Sequence, residues 1–157
     1  MHYHEIYKDN MLNGEGLRVV LWVAGCNHNC PKCQNPFTHD PNGGLPFDDS
    51  AKQEIFDQLD KDYISGITLS GGDPLYPSNR PEIESLMKEI KEKYPTKNIW
   101  MYTGYTYEQI KDLPLMKYVD VLCDGPFVDE LCYVSHPLQK QVLWVGSNNQ
   151  RVIHLNK

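Results

Sequence analysis

Residues 17–23, Leu17-Arg18-Val19-Val20-Leu21-Trp22-Val23, run directly into Ala24-Gly25-Cys26, with further cysteines at Cys30 and Cys33. The run is β-branched and nearly all apolar, the pattern of a strand covered on both faces in a parallel sheet. A cysteine segment directly after such a strand lies where parallel α/β folds place their sites, at the carboxyl ends of the strands.

The same arrangement recurs down the chain. Gly66-Ile67-Thr68-Leu69-Ser70 reads as a second strand and ends in Gly71-Gly72-Asp73-Pro74. Asn98 to Tyr102 reads as a third, followed by Thr103-Gly104-Tyr105, and Val119 to Cys123 as a fourth, closing in Asp124-Gly125-Pro126. Gln141 to Val145 and Arg151 to Leu155 read as final short strands. Between them, Asp48-Asp49-Ser50 can cap a helix from Ala51 to Asp60. Pro81 to Tyr94 is the clearest helix, with Ile83, Leu86, Met87, Ile90 and Tyr94 in one stripe and Pro95 as its stop. Thr106 to Asp112 is a shorter one. Alternation of strand and helix implies right-handed βαβ units. A closed eight-unit barrel needs roughly 250 residues, and this chain has 157. The expected fold is therefore α/β, an open partial (βα) barrel of about five to six mostly parallel strands. All four segments after the strands should face one crevice. The length argues for a single domain, 1–157.

Composition narrows the function. The net charge is −6, with no contiguous basic tract, which argues against a nucleic-acid partner. No apolar run is long enough for a membrane span. The opening MHYHEIYKDN carries no basic region followed by an apolar stretch, so a cytoplasmic location is expected. The five cysteines are not spread as a disulfide framework.

Cys26-x-x-x-Cys30-x-x-Cys33 points instead to a metal. Thiolates are the ligands of iron–sulfur clusters, and three on a short loop leave one iron of a cubane open to a small molecule. Zinc is the competing occupant, with Cys123 or His28 available to complete a fourth position. Gly-Gly-Asp-Pro taken alone is a good turn. Its glycines also let a main chain approach a ligand closely, and Asp73 can accept from an ammonium group. Cys123, in an apolar strand, reads as a small buried hydrophobe. Tyr102 and Tyr105 read as packing residues.

The cysteine spacing after a first strand resembles the radical S-adenosylmethionine enzymes. Further residues narrow the resemblance. They are Asn13-Gly14-Glu15-Gly16, Leu69 to Leu75, Trp100 to Tyr105, Asp112, Asp124-Gly125 and Gly146-Ser147-Asn148-Asn149-Gln150-Arg151. With the cysteine loop, they look like the anaerobic ribonucleotide reductase activating proteins, from about Tyr3 to Val152. The resemblance implies a 4Fe–4S cluster on Cys26, Cys30 and Cys33, through which these residues are catalytic. It implies S-adenosyl-L-methionine as cofactor, near Lys32, Cys33, Gln34, Gly71, Gly72, Asp73, Thr103 and Asp124. Gln34 departs from the aromatic residue usual after the third cysteine, and Phe37 offers a ring nearby.

The implied reaction is reductive cleavage of S-adenosylmethionine to a 5′-deoxyadenosyl radical. That radical takes hydrogen from a glycine of the large subunit of an anaerobic ribonucleoside-triphosphate reductase. An electron donor such as a flavodoxin-like protein is implied as a second partner. Two other readings stay open on the residues: a small-molecule radical enzyme of modified-nucleoside synthesis, and a zinc-stabilised interaction module without catalysis.

Overall fold

The computed structural model describes residues 1–10, 14–26, 40–125 and 150–155. Its elements are β1 (His2–Asn10), β2 (Arg18–Val23), β3 (Leu45–Pro46), α1 (Asp49–Leu59), β4 (Gly66–Gly71), α2 (Arg80–Lys93), β5 (Asn98–Tyr102), α3 (Tyr107–Ile110), β6 (Val121–Asp124) and β7 (Arg151–His154). Short 3-10 turns at Pro77–Asn79 and Pro114–Tyr118 complete the described chain.

The strands form one seven-stranded sheet, ordered β3-β1-β2-β4-β5-β6-β7. Its middle, β2-β4-β5-β6, is parallel, while β1, β3 and β7 are added antiparallel. This corrects the expected count and direction of the strands: the sheet is mixed, and among the described residues it does not close into a barrel. β1 escapes a hydrophobicity reading because Ile6 is its only fully buried residue. Its identity as a strand lies in main-chain pairing to β2, interrupted by two irregularities of register. The expected strand at Gln141 to Val145 lies outside the described residues.

The parallel strands are where the apolar runs placed them, because each is buried on both faces. Alternate residues Val19, Leu21, Val23, Ile67, Leu69, Ile99, Met101 and Leu122 face the main core. There they meet Ile55 and Leu59 of α1 and Ile83, Leu86, Met87 and Ile90 of α2. Burying each such side chain contributes about 1.5–3 kcal/mol. Asp48 caps α1 by accepting from Ala51 N–H at 2.9 Å. Thr106 and Gln109 form a reciprocal capping box on α3.

The opposite face carries a second, mixed cluster of Trp100, Val121 and Cys123 with Tyr102 and Val152. At its amino end Arg18 is fully buried, although it begins the apolar run. Its guanidinium donates to Thr68 Oγ1, to the carbonyls of Glu15, Ile67 and Asn98, and stacks over Trp100. One side chain thereby ties the start of β2 to β4 and β5.

Candidate functional site

The carboxyl ends of β2, β4, β5 and β6 form one continuous edge, and each junction along it has a specific bond. β2 passes through Ala24 and Gly25 to Cys26, which is half-buried. Gly25 has φ of 107°, and an added Cβ would stand 3.0 Å from the Tyr76 ring. The segment before Cys26 is pinned on both sides: Asn79 Nδ2 donates to the Ala24 carbonyl at 2.8 Å, and Ala24 N–H donates to His2 at 2.9 Å.

β4 ends at Gly71, whose φ of 106° belongs to glycine. A Cβ there would fall 2.5 Å from both the nitrogen and the oxygen of Val23, so any side chain would push the two strands apart. Beyond it, Gly72 N–H donates to the Val23 carbonyl at 3.0 Å and Asp73 N–H to the Gly25 carbonyl at 2.7 Å. The Gly-Gly-Asp-Pro segment is therefore locked to the stretch that leads into the cysteines.

Asp73 carries the connection onward. Its side chain is fully buried. It accepts from Leu75 N–H at 2.9 Å, from Thr103 Oγ1 at 2.9 Å and from Gly104 N–H at 3.0 Å. Thr103 is itself buried, and its N–H donates to the Cys123 carbonyl at 3.0 Å. Gly125 N–H donates to Tyr105 at 2.9 Å. Asp124, also buried, accepts from Tyr107 N–H at 2.7 Å and from Nε and a terminal nitrogen of Arg151. Arg151 also reaches the exposed Glu108 at 2.8 Å. Pairing with Asp124 and Glu108 raises Arg151 above its ordinary value, and the bond from Arg151 lowers Glu108.

The structure thus brings Cys26, Gly71, Gly72, Asp73, Thr103 and Asp124 to one edge. Cys30, Cys33, Lys32 and Gln34 lie outside the described residues, as do His28, Phe37 and Cys132. Within the described residues Asp73, Thr103 and Asp124 bond to neighbouring loops of the chain and brace the edge. Sequence reasoning missed Asn79, Arg80 and the pairing of Arg151. Arg80 donates to the Leu75 carbonyl at 2.7 Å and covers the Tyr105 ring. Arg151 had the one legible signal, a cation in the final strand at the site end of the sheet.

The donor set suits a thiolate-bound cluster. Cys26 is the first cysteine of the Cys26, Cys30, Cys33 motif and stands on the edge that carries Gly71, Gly72, Asp73, Thr103 and Asp124, and no group of His, Cys, Asp and Glu among the described residues could hold a metal ion. No helix of the described residues is long and apolar enough to cross a membrane.

Comparison with known proteins agrees with this chemistry. A family model described as a 4Fe-4S single cluster domain matches residues 12–153. The chain is 46% identical over 152 residues to the anaerobic ribonucleoside-triphosphate reductase-activating protein of Enterobacteria phage T4, covering 97% of this chain and 93% of that one. It is 40% identical over 159 positions to the protein of that name from Escherichia coli strain K12, covering 99% of each. With the one from Haemophilus influenzae it shares 37% over 158 positions, 98% of this chain and 97% of the other.

Proposed function

The chain belongs to the family of anaerobic ribonucleoside-triphosphate reductase-activating proteins, and from that premise we propose that it activates such a reductase as a single radical S-adenosylmethionine domain. Cys26, Cys30 and Cys33 would hold a 4Fe–4S cluster through their thiolates. When bound and reduced, the cluster supplies the electron that splits S-adenosylmethionine into methionine and a 5′-deoxyadenosyl radical. The hydrogen atom to be removed would come from a glycine of the reductase, which would be left as a glycyl radical beside 5′-deoxyadenosine. A flavodoxin-like donor provides the electron.

In this reading the chain's own residues position the reactants. Gly71 and Gly72 bring main chain to the methionine end of the cofactor: Gly71 lets β4 close on Val23, and Gly72 has no side chain to keep the ligand away. Lys32 and Gln34 flank the third cysteine and meet the adenosine end. Asp73, Thr103 and Asp124 serve the cofactor by fixing the loops against which it lies. The observation that carries the proposal is the bond from Asp73 N–H to the Gly25 carbonyl, 2.7 Å, which couples the Gly-Gly-Asp-Pro segment to the residues that lead into Cys26.

The test is anaerobic incubation of the reconstituted protein with reductase, S-adenosylmethionine and a reductant. An electron paramagnetic resonance doublet from a carbon radical on the reductase is expected, and none with Cys30→Ala. Zinc without iron in an oxygen-free preparation, or no radical from the wild type, defeats the proposal.

A further inference from the structure

Asn79 stands directly before α2, where an asparagine ordinarily caps the helix through its side-chain oxygen. In this chain it has helical torsions, φ −88° and ψ −21°, and its side chain makes no capping bond. Asn79 is buried, and its Nδ2 donates instead to the Ala24 carbonyl at 2.8 Å, across 55 residues of chain. A residue of capping type in a capping position has been diverted to the approach to Cys26.

The bond completes a set. The last three carbonyls before Cys26 each accept from the segment that joins β4 to α2. Val23 accepts from Gly72 N–H at 3.0 Å, Ala24 from Asn79, and Gly25 from Asp73 N–H at 2.7 Å. Two of these donors are main chain and do not depend on the residue that carries them; Asn79 is the one side chain. Gly25, at φ 107°, gives the approach a backbone of wide conformational freedom. Bonds from outside therefore set the direction in which the chain delivers Cys26, and Asn79 supplies the one that a substitution can remove.

We propose that Asn79 is a positioning residue for the cluster: by holding the Ala24 carbonyl it fixes Cys26 as a metal ligand. The inference rests on the reading of Cys26 as a cluster ligand and names the group that orients it. A functional side chain has to be held within about 0.5 Å of its productive position. Removing a group that orients a metal ligand weakens metal binding about 10-fold to 100-fold. The Asn79 amide acts through the main chain, two residues before the sulfur, and not on the reacting atoms.

Asn79→Ala removes the donor and takes no capping bond from α2. Gln58→Ala is the matched control. Gln58 is also buried, and its amide donates to the Lys8 carbonyl at 2.9 Å, beside the amino end of β2 and away from the site. Both variants are reconstituted anaerobically with iron and sulfide beside the wild type, and circular dichroism verifies their folding. Loss of cluster absorbance to a ferrous-iron chelator is timed, and the reduced cluster is recorded by electron paramagnetic resonance. Asn79→Ala should surrender its iron about tenfold faster than the wild type, with a changed resonance line shape. Gln58→Ala should match the wild type in both. Wild-type rate and line shape in Asn79→Ala overturn the inference. Equal acceleration in Gln58→Ala also overturns it, since general loss of stability would then be the cause. Should Asn79→Ala fail to fold, Asn79→Leu, which fills the space without a donor, decides in its place. A wild type that takes up no iron refutes the cluster reading itself, whereas a wild-type cluster matched by Asn79→Ala refutes only the role of Asn79.

Discussion

Replacing Asp73 by alanine strands three donors at once: Leu75 N–H, Thr103 Oγ1 and Gly104 N–H. Leu75 and Thr103 are buried, and each orphaned donor there costs about 1–3 kcal/mol. Gly104 is partly exposed, so water can satisfy its N–H at little cost. The sum is about 3–5 kcal/mol, a large share of the roughly 5–15 kcal/mol that holds a domain together. For a chain of this size it lowers the melting temperature by about 10 °C. Thr103→Val leaves the carboxylate its two amide donors and should cost about 1–2 kcal/mol. Because the two changes remove the same bond, the double variant should fall short of their sum by at least about 1 kcal/mol. Urea unfolding followed by circular dichroism under anaerobic conditions measures all four proteins. If Asp73→Ala stays within about 1 kcal/mol of the wild type, or the two effects simply add, the carboxylate is not the brace between β4 and β5.

Other parts of the structure respond differently. Arg151→Ala leaves the buried Asp124 with only the Tyr107 amide, and should cost about 2 kcal/mol after allowing for water entering from the exposed side of the pair. Glu108→Gln, at a fully exposed partner, should leave the unfolding midpoint unmoved. A thermal melt of both variants checks the contrast. The Cys123 thiol has a folded value raised to about 12 from an ordinary 9 by burial, so the folded chain keeps a proton the unfolded chain gives up. Its contribution is complete below about pH 9 and is lost between about 9 and 12. Unfolding across that window should show a slope for Cys123→Ala shallower by up to about 1.4 kcal/mol per pH unit.

The four central strands were legible because a strand covered on both faces is mostly apolar, as are Val19 to Val23, Ile67 to Leu69 with Thr68 its one polar residue, Ile99 to Met101 and Val121 to Cys123. Helices α1 and α2 announced themselves by an apolar stripe and a start signal, the Asp48 cap at one and Pro81 in the first turn of the other. β1 did not, because Ile6 is its only wholly buried side chain and its partner strand supplies the order. β3, only two residues long, has no periodicity to detect. One regularity was legible, that Cys26, Gly71, Thr103 and Asp124 each stand at or just past the carboxyl end of a strand. The bonds these residues and their neighbours make to one another were not. Asp73 and Thr103 are 30 residues apart and Asp124 and Arg151 are 27 apart, and only the folded sheet brings them into contact. Arg18 is the sharpest case. A guanidinium in an apolar run reads as a side chain that reaches solvent, yet its donors are met by three carbonyls and a hydroxyl inside the sheet.

These connections explain how an edge whose loops contain several glycines can hold its shape. Glycines give the main chain its close approach to a ligand but contribute no side chain to fix it, and they carry the largest conformational entropy to be lost on folding. Each junction along the edge is therefore fastened by a group outside the glycines. Asp73 N–H joins the β4 loop to the β2 loop, and its carboxylate joins the β4 loop to the β5 loop. Thr103 N–H joins the β5 loop to β6, and Asp124 takes in both the first turn of α3 and the final strand through Arg151. The fastenings run in series, each sharing a residue or its immediate neighbours with the next. A break at one link should therefore loosen the adjoining loop first and distant loops less. Amide hydrogen exchange can follow that gradient: Arg151→Ala should release the amide of Tyr107 well before that of Gly72. Equal release at both ends would mean that the hydrophobic core beneath, and not this chain of bonds, sets the shape of the edge.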